Sequence, residues 1–302
     1  MPESLQHRFP SPLRYPGGKG KVANYIKLLF LKNNFVGYEY IEPFAGGSSV
    51  ALSLLFEEFA SHIHINDINR SVFAFWDAVL HHTEVLCARI MDVAVTLDEW
   101  ERQKAVQQQP DPDPLDLAFS TFFLNRTNRS GIIEGGIIGG KNQDGTWKLD
   151  ARFNKSDLIR RIQRIARYES RITLTALDAA EYLRQLVATP ALNTFIYLDP
   201  PYYVKGEGLY ENFYEHHHHA EIAEIVHQLQ TPWLVSYDAV PQIFDLYQDQ
   251  TRTVYGLSYS AAERYRGSEV MIFSAGLAQP DVSSPANVPS NIVDDGKLAA
   301  FL

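Results

Sequence analysis

A largely parallel α/β sheet interrupted by one helical insertion is the fold this 302-residue sequence predicts, and two patterns predict it. Short β-rich runs at Tyr38 to Ile41, His62 to Ile65, Ile172 to Thr175, Thr194 to Leu198, Trp233 to Tyr237 and Val270 to Phe273 are mostly spaced by helix-length segments. Strands that pair in parallel need such crossovers. From Ile68 to about Asn125, by contrast, only helical patterning appears, followed by the Gly-rich stretch GIIEGGIIGGKNQDGTW. The reading is a sheet domain assembled from residues 1–69 and 156–277, with a helical insert over 70–155 that ends in a long loop or hairpin near 126–150. From Ala278 onward the composition (AQPDVSSPANVPSNIVDDGK) suits a disordered tail, 278–302, better than a packed core.

With 45% apolar and 21% charged residues the chain can bury a sizeable core. The lone cysteine, Cys87, excludes an intrachain disulfide, and the N-terminus carries no apolar stretch of the secretory kind. No apolar run approaches the roughly 18 residues that span a bilayer. A cytoplasmic setting without a membrane partner is the expectation. The net charge of −9 argues against a nucleic-acid partner, since phosphate contacts need Lys and Arg. Its distribution argues the other way: between Arg126 and Arg171 eleven basic residues face five acidic ones, a local net of +6. Within that stretch Asn154 or Ser156 can cap a helix running to about Glu169. Leu158, Ile162 and Ile165 share one of its faces and Arg160, Arg164, Arg167 and Arg171 the opposite one, which is either an ordinary solvated face or a phosphate-facing one. The run His216 to His219 precedes AEIAEIVHQL and reads as the opening of a surface helix rather than a metal site.

Three motifs carry chemistry. Asp199-Pro200-Pro201-Tyr202 directly follows the apolar strand Thr194 to Leu198, at the end of an open α/β sheet where ligands bind. The two prolines fix their own φ, push Asp199 toward extended geometry and remove two N–H donors, leaving a rigid cluster of acceptors. Tyr202 offers a flat face to an extruded base; a plain strand-to-loop turn is the bland alternative. The second motif, Tyr40-Ile41-Glu42-Pro43-Phe44-Ala45-Gly46-Gly47-Ser48-Ser49-Val50, is a strand, a Gly-rich turn and the helical run Ala51 to Phe59. Glycines let backbone approach a ligand beside a helix N-terminus, although a tight turn without any ligand explains them as well. Asp67, about 20 residues on, stands where an acidic side chain meets nucleoside hydroxyls, or else caps the helix that begins near Asn69. The third, Leu13-Arg14-Tyr15-Pro16-Gly17-Gly18-Lys19, precedes the amphipathic segment Val22 to Phe30 and is by itself a simple loop or a phosphate clamp lacking the rest of a P-loop.

Read together, these motifs resemble the Dam-type (D12 class, alpha-group) family of DNA adenine-N6 methyltransferases. There an aromatic-x-Gly-Gly-Lys motif precedes FxGxG, a target-recognition insert follows, and DPPY comes last. The resemblance covers roughly Pro12 to Ala275. It implies a Rossmann-like S-adenosylmethionine-dependent methyltransferase sheet, with S-adenosyl-L-methionine as cofactor, duplex DNA as substrate and no metal. It also implies that Tyr15, Lys19, Phe44, Gly46, Asp67 and Asp199 contact the cofactor and that Asp199, Pro200 and Tyr202 form the catalytic pocket. Phe123 to about Asp150 aligns with the family's DNA-reading hairpin, so Arg126, Arg129, Lys141 and Lys148 become the candidate DNA contacts. The resemblance leaves open a cognate restriction endonuclease as partner. Two departures stand out: Ser48 replaces the last glycine of FxGxG, and Gly131 to Gly140 lacks the tyrosine-rich pattern of GATC-specific members, so sequence specificity does not carry over.

Rival readings keep parts of this picture. DPPY-like motifs also resemble those of RNA adenine and protein glutamine methyltransferases, which likewise polarise a planar NH2 group; the N-terminal motif and the insert between Asp67 and Asp199 speak for DNA. A catalytically silent DNA-binding protein that retains the fold is disfavoured by the intact Asp199 and Pro200. A P-loop hydrolase lacks the GxxxxGK[ST] spacing, because Gly20 follows Lys19.

Overall fold

The computed structural model describes residues 10–14, 19–204, 214–258 and 266–289. In chain order the helices are α1 (Ala23–Lys32), α2 (Ser49–Phe56), α3 (Arg70–His81), α4 (Thr83–Asp92), α5 (Leu97–Gln107), α6 (Pro114–Thr127), α7 (Lys155–Ala166), α8 (Ala179–Ala188), α9 (His216–Val226) and α10 (Pro241–Leu246). The strands are β1 (Tyr38–Glu42), β2 (Ala60–Asn66), β3 (Ile172–Thr175), β4 (Thr194–Leu198), β5 (Trp233–Asp238), β6 (Thr251–Ser258) and β7 (Arg266–Phe273). Two compact units divide the chain, one of residues 1–18 and 67–176 and one of 19–66 and 177–302.

In the second unit six strands run in the order β2-β1-β4-β5-β7-β6. β1 is parallel to β2 and β4, and β4 to β5, whereas β7 is antiparallel to both β5 and β6. The central strand β4 (TFIYL) is buried at every residue, as a parallel strand covered on both faces must be. One packed face gathers Leu183 of α8 and Ile222 and Val226 of α9 against Ile196, Leu198, Val235 and Ile272. Phe30 of α1 packs edge-on against Phe195, with ring centres 5.2 Å apart. Expected to be amphipathic, α1 is instead buried from Tyr25 through Phe30, and it tolerates this because the buried Lys27 ammonium pairs with Glu57 at 2.6 Å. Strand β6 has no counterpart in the sequence reading: Thr251, Arg252, Thr253 and Gly256 break any apolar run, as suits a strand at the end of a sheet. The expected tail is described as far as Pro289. Asn33 exchanges two hydrogen bonds with the backbone of Ala278 (2.8 and 2.9 Å), Asn24 donates to Val288 O, and Pro285 and Val288 are buried. Side-chain amides in α1 and at its C-terminal cap thus satisfy an irregular segment whose composition alone suggested disorder. Residues 290–302 of that tail lie outside the described residues.

The first unit is helical. Asn69, Thr96, Asp113 and Asn154 cap α3, α5, α6 and α7 by accepting first-turn N–H bonds, and Pro114 opens α6. Phe75 stacks on Phe122 at 6.1 Å, and Phe153 meets Phe122 and Phe123 edge-on or tilted. The unit extends to residue 176 rather than 155, because the buried Leu158, Ile162 and Ile165 of α7 pack that helix on α3 and α4. Arg160, on the opposite face, and Arg161, at its flank, both pair with Asp157.

The segment expected as a long loop or hairpin is an irregular loop, closed by a single antiparallel bridge between Asn128 and Ile137. Two side chains hold its shape. Asn128, fully buried, donates to Ile132 O and Ile133 O at 3.0 and 2.7 Å and accepts from the Trp100 indole at 2.7 Å. Gln143 donates to Ile138 O and Gly140 O and accepts from Leu149 N. Asn128→Ala strands the buried indole N–H and two carbonyls, and is expected to lower unfolding stability by about 3 kcal/mol. Urea titration reads this; a loss under about 1 kcal/mol would show the loop to be held otherwise.

Candidate active site

The site belongs to the second unit and collects at the carboxyl end of β4. Leu198 ends the strand, and Asp199 follows with its side chain 27% exposed. Its two oxygens have different surroundings. Oδ1 accepts from Ser236 Oγ at 2.8 Å and pairs with Lys19 Nζ at 2.9 Å, whereas no described residue binds Oδ2. Ser236 spends its proton on Asp199, so Tyr197 Oη, 2.9 Å away, is the donor to Ser236 Oγ. Burial and then the nearby Asp199 charge hold the Tyr197 phenol well above its usual value, which keeps that proton in place.

Lys19 is buried, and its three donors are all engaged: by Asp199, by Glu269 Oε1 at 3.3 Å and by Tyr202 Oη at 3.2 Å. Burial works against its charge, but Asp199 and Glu269 outweigh it and raise the ammonium well above its usual range. Burial in turn raises the Asp199 carboxyl, against the opposing pull of Lys19. Glu269, fully buried near the start of β7, also accepts from Tyr202 Oη and Tyr255 Oη at 2.8 Å each. Beyond the prolines, Tyr203 N and Val204 N donate to the two carboxylate oxygens of Asp238, at 2.8 and 3.0 Å. The stretch from Asp199 to Val204 is therefore fixed from both sides.

The second motif forms the neighbouring turn. β1 ends at Glu42, and Gly46 (φ 46) and Ser48 (φ 45) take left-handed backbone before α2. Ser48 pays a steric cost there that glycine would not, in accord with its place at the end of FxGxG. Its hydroxyl leans to Ala45 O at 3.4 Å and does not cap the helix. Glu42 supplies the capping contact instead, accepting from Ala51 N (3.1 Å) and Tyr40 Oη (2.9 Å). Burial pushes its carboxyl up to about 8 despite those two donors. Phe44 is half-buried against the core, with its ring edge-on to Tyr214 at 5.9 Å.

The structure brings together Lys19, Asp199 and Tyr202, with Pro200 between the last two. The Tyr202 ring, expected to offer a face, is 4% exposed with the Lys19 ammonium 4.8 Å from its centre. Tyr15 lies outside the described residues. Asp67 belongs to the first unit, where its backbone N–H bonds Thr175 O and its carboxylate accepts from Asn69 N at 3.0 Å; the cap of α3 is Asn69. The four candidate DNA contacts, also in the first unit, have different surroundings. Arg126 is half-buried and donates to Arg152 O and Pro12 O, Arg129 is exposed, Lys141 pairs with Glu101 at 3.5 Å, and Lys148 donates to Gln143 O. The histidine run does open a helix, α9, with His219 turned inside against Tyr237 Oη at 3.0 Å and lowered to about 4 by burial. No group of side chains suited to a metal ion occurs among the described residues, and no helix there is long and apolar enough to cross a membrane. Ser236, Asp238 and Glu269 belong to none of the three motifs, and Glu42 stands in the second motif without an expected role. The available signal was a polar residue set in or against an apolar strand, as in WLVSYD and SEVMIF.

Comparison with known proteins adds the following. The model of the family described as D12 class N6 adenine-specific DNA methyltransferase matches residues 15–261. The chain is 26% identical over 215 residues to Modification methylase StsI of Streptococcus sanguinis, a match covering 67% of this chain and 30% of that protein. It is 24% identical over 204 residues to Type II methyltransferase M.MjaIII of Methanocaldococcus jannaschii, covering 63% of this chain and 68% of the relative. The chain thus spans less than a third of the length of StsI. A solved SAM dependent methyltransferase from Agrobacterium tumefaciens aligns over 83% of this chain and 62% of its own, with 8% identity and a TM-score of 0.41.

Glu42 yields a prediction for pH. Its folded value of about 8 lies above the ordinary 4.5, so its protonated form favours the fold. That contribution is complete below pH 4.5 and is lost as pH rises through about 8. Glu42→Gln should match the wild type near pH 4.5 and exceed its stability by roughly 3–5 kcal/mol above pH 8. A stability difference that stays constant across this range would rule out a protonated Glu42.

Proposed function

The chain belongs to the D12 class of N6 adenine-specific DNA methyltransferases, and from that premise we propose that it transfers a methyl group from S-adenosylmethionine to N6 of an adenine in duplex DNA. The observation that carries the proposal is the divided environment of Asp199, one oxygen clamped by Ser236 and Lys19 and the other without a partner among the described residues. S-adenosylmethionine supplies a methyl group already activated by its sulfonium. Phe44 and the Gly46 turn, with Lys19 and Asp199, are the residues of the second unit that would hold it. The turn fits on its donor set: Glu42 occupies Ala51 N, but no described residue accepts from Ser49 N or Val50 N, and a ligand carboxylate suits such a helix N-terminus.

The harder half of the reaction is the acceptor, because the N6 lone pair of adenine is delocalised into the ring. Asp199 Oδ2 accepts one N6–H, and the Pro200 carbonyl, which no described residue engages, accepts the other. Two acceptors on one amino group draw its nitrogen toward tetrahedral geometry and stabilise the positive charge that grows there, and Asp199 Oδ2 takes up the proton that N6 sheds once methylated. Ser236 fixes Asp199, and Asp238 fixes the backbone that follows the two prolines, before the base arrives, so little reorganisation remains for the reaction itself. Lys19 keeps Asp199 in the carboxylate form that burial disfavours. The base must leave the duplex to reach this pair. Tyr202 adjoins it; as placed, its hydroxyl helps hold Lys19, and stacking on a flipped base requires its ring to be uncovered. The relatives named modification and type II methylases further support a restriction endonuclease of matching specificity as partner.

Base-resolved mapping of unmethylated genomic DNA, incubated with protein and S-adenosylmethionine, should reveal N6-methyladenine at one recurring sequence. Methylation confined to cytosine, to RNA or to protein would overturn the proposal. Asp199→Ala should slow transfer at least about a hundredfold, the scale of losing one preorganised electrostatic contact. Near-normal turnover would remove Asp199 from the mechanism.

A further inference from the structure

The helical unit holds three arginines that are gathered without a matching anion. Arg14 is fixed through its backbone: its N–H donates to Asn125 Oδ1 at 2.8 Å and its carbonyl accepts from Asn125 Nδ2 at 2.7 Å. Gly131 (φ +80) abuts that carbonyl so closely that a Cβ there would lie 2.2 Å from it. The Arg14 guanidinium reaches Asn128 O at 3.4 Å. Arg126 on α6 donates to Arg152 O at 2.7 Å and to Pro12 O at 3.4 Å. The Arg152 guanidinium lies 5.4 Å from the ring centre of Trp147, which is 63% exposed.

None of the three forms an ion pair with a carboxylate among the described residues. The acidic group facing Arg126 is Asp157, and it is engaged by Arg160 and Arg161. The crowding registers on the guanidinium groups. Burial first, and then Arg14 and Arg161, push Arg126 down to about 9, while burial and Arg152 lower Arg14. Like charges held together in a partly buried place favour an anion that arrives from outside. Main-chain carbonyls orient Arg14 and Arg126, and the Trp147 ring orients Arg152, but none of these contacts neutralises their charge. A phosphodiester offers one negative charge and two acceptor oxygens, which match the donor fork of arginine.

We propose that Arg14, Arg126 and Arg152 together seat one backbone phosphate of duplex DNA, an inference that rests on the DNA methyltransferase reading above. The seat positions the duplex without reading sequence.

The test is equilibrium binding of a fluorescein-labelled DNA duplex by the full chain, from about 50 to 200 mM salt. Arg14→Gln and Arg152→Gln should each weaken binding, equally for duplexes of different sequence. The double variant should lower the slope of log K against log salt by about 0.9, the release expected for one phosphate. Arg184→Gln, which removes a charge paired with Glu221 in the other unit, should bind as the wild type does. Arg152 is exposed, so its variant should fold, and an unchanged unfolding temperature verifies this. Wild-type slope and affinity in the double variant would overturn the seat and leave the methyl-transfer proposal standing. So would a slope loss near 1.8, which means two separate phosphates, or a loss limited to one DNA sequence. Failure of the wild type to bind duplex DNA would overturn both.

Discussion

An ammonium group removed from water persists only where anions replace its hydration, and Lys19 meets that condition by lying between Asp199 and Glu269. The dependence runs in both directions. Without the lysine, two carboxylates that share one buried neighbourhood would repel and one would take up a proton. Without either carboxylate, the lysine would be left with an unmatched donor and a charge that burial disfavours. The ion triad therefore sets the position and the charge of Asp199 together, and the Tyr197–Ser236 relay secures the same oxygen from the other side.

The topology of the sheet makes this triad feasible. Parallel strands β4 and β5 deliver Asp199 and Asp238 at their carboxyl ends, and a further parallel strand would bring only another carboxyl end. Because β7 runs antiparallel to β5, its beginning lies at that same edge, and Glu269 pairs in register with Asp238. One reversed strand thus places a buried acid beside the residues that follow β4, although Glu269 and Asp199 are far apart in sequence. Lys19 enters from the 3₁₀ turn that leads into α1.

This explains which features were legible in the sequence. The strands that alternate with helices and are buried on both faces announce themselves by apolar runs, and the Asp-Pro-Pro-Tyr turn by its prolines. Strand β6 does not, since a strand at the sheet end with Thr, Arg and Gly looks like loop. Glu269, Ser236 and Asp238 matter because strand order makes them neighbours of Asp199, and strand order is not written locally. The same holds for Asn128 and Gln143, each of which shapes the irregular loop through several backbone contacts; nothing in GIIEGGIIGGKNQDGTW distinguishes such a loop from a hairpin. The stretch from Ala278 was misleading because its partners, Asn24 in α1 and Asn33 at its C-terminal cap, stand near the other end of the chain.

Net charge was the least informative global quantity, and its division between units explains why. The strand-end site holds Asp199 and Glu269 around a single ammonium, two carboxylates against one cation. Such a site favours cations, and both the sulfonium of the proposed donor and the charge developing on N6 are cationic. Phosphates need the opposite field, and the helical unit supplies it with arginines that lack carboxylate partners. A chain of net charge −9 can serve both because fields within a Debye length, about 10 Å at 0.1 M salt, are decided by local side chains and not by the sum over the sequence.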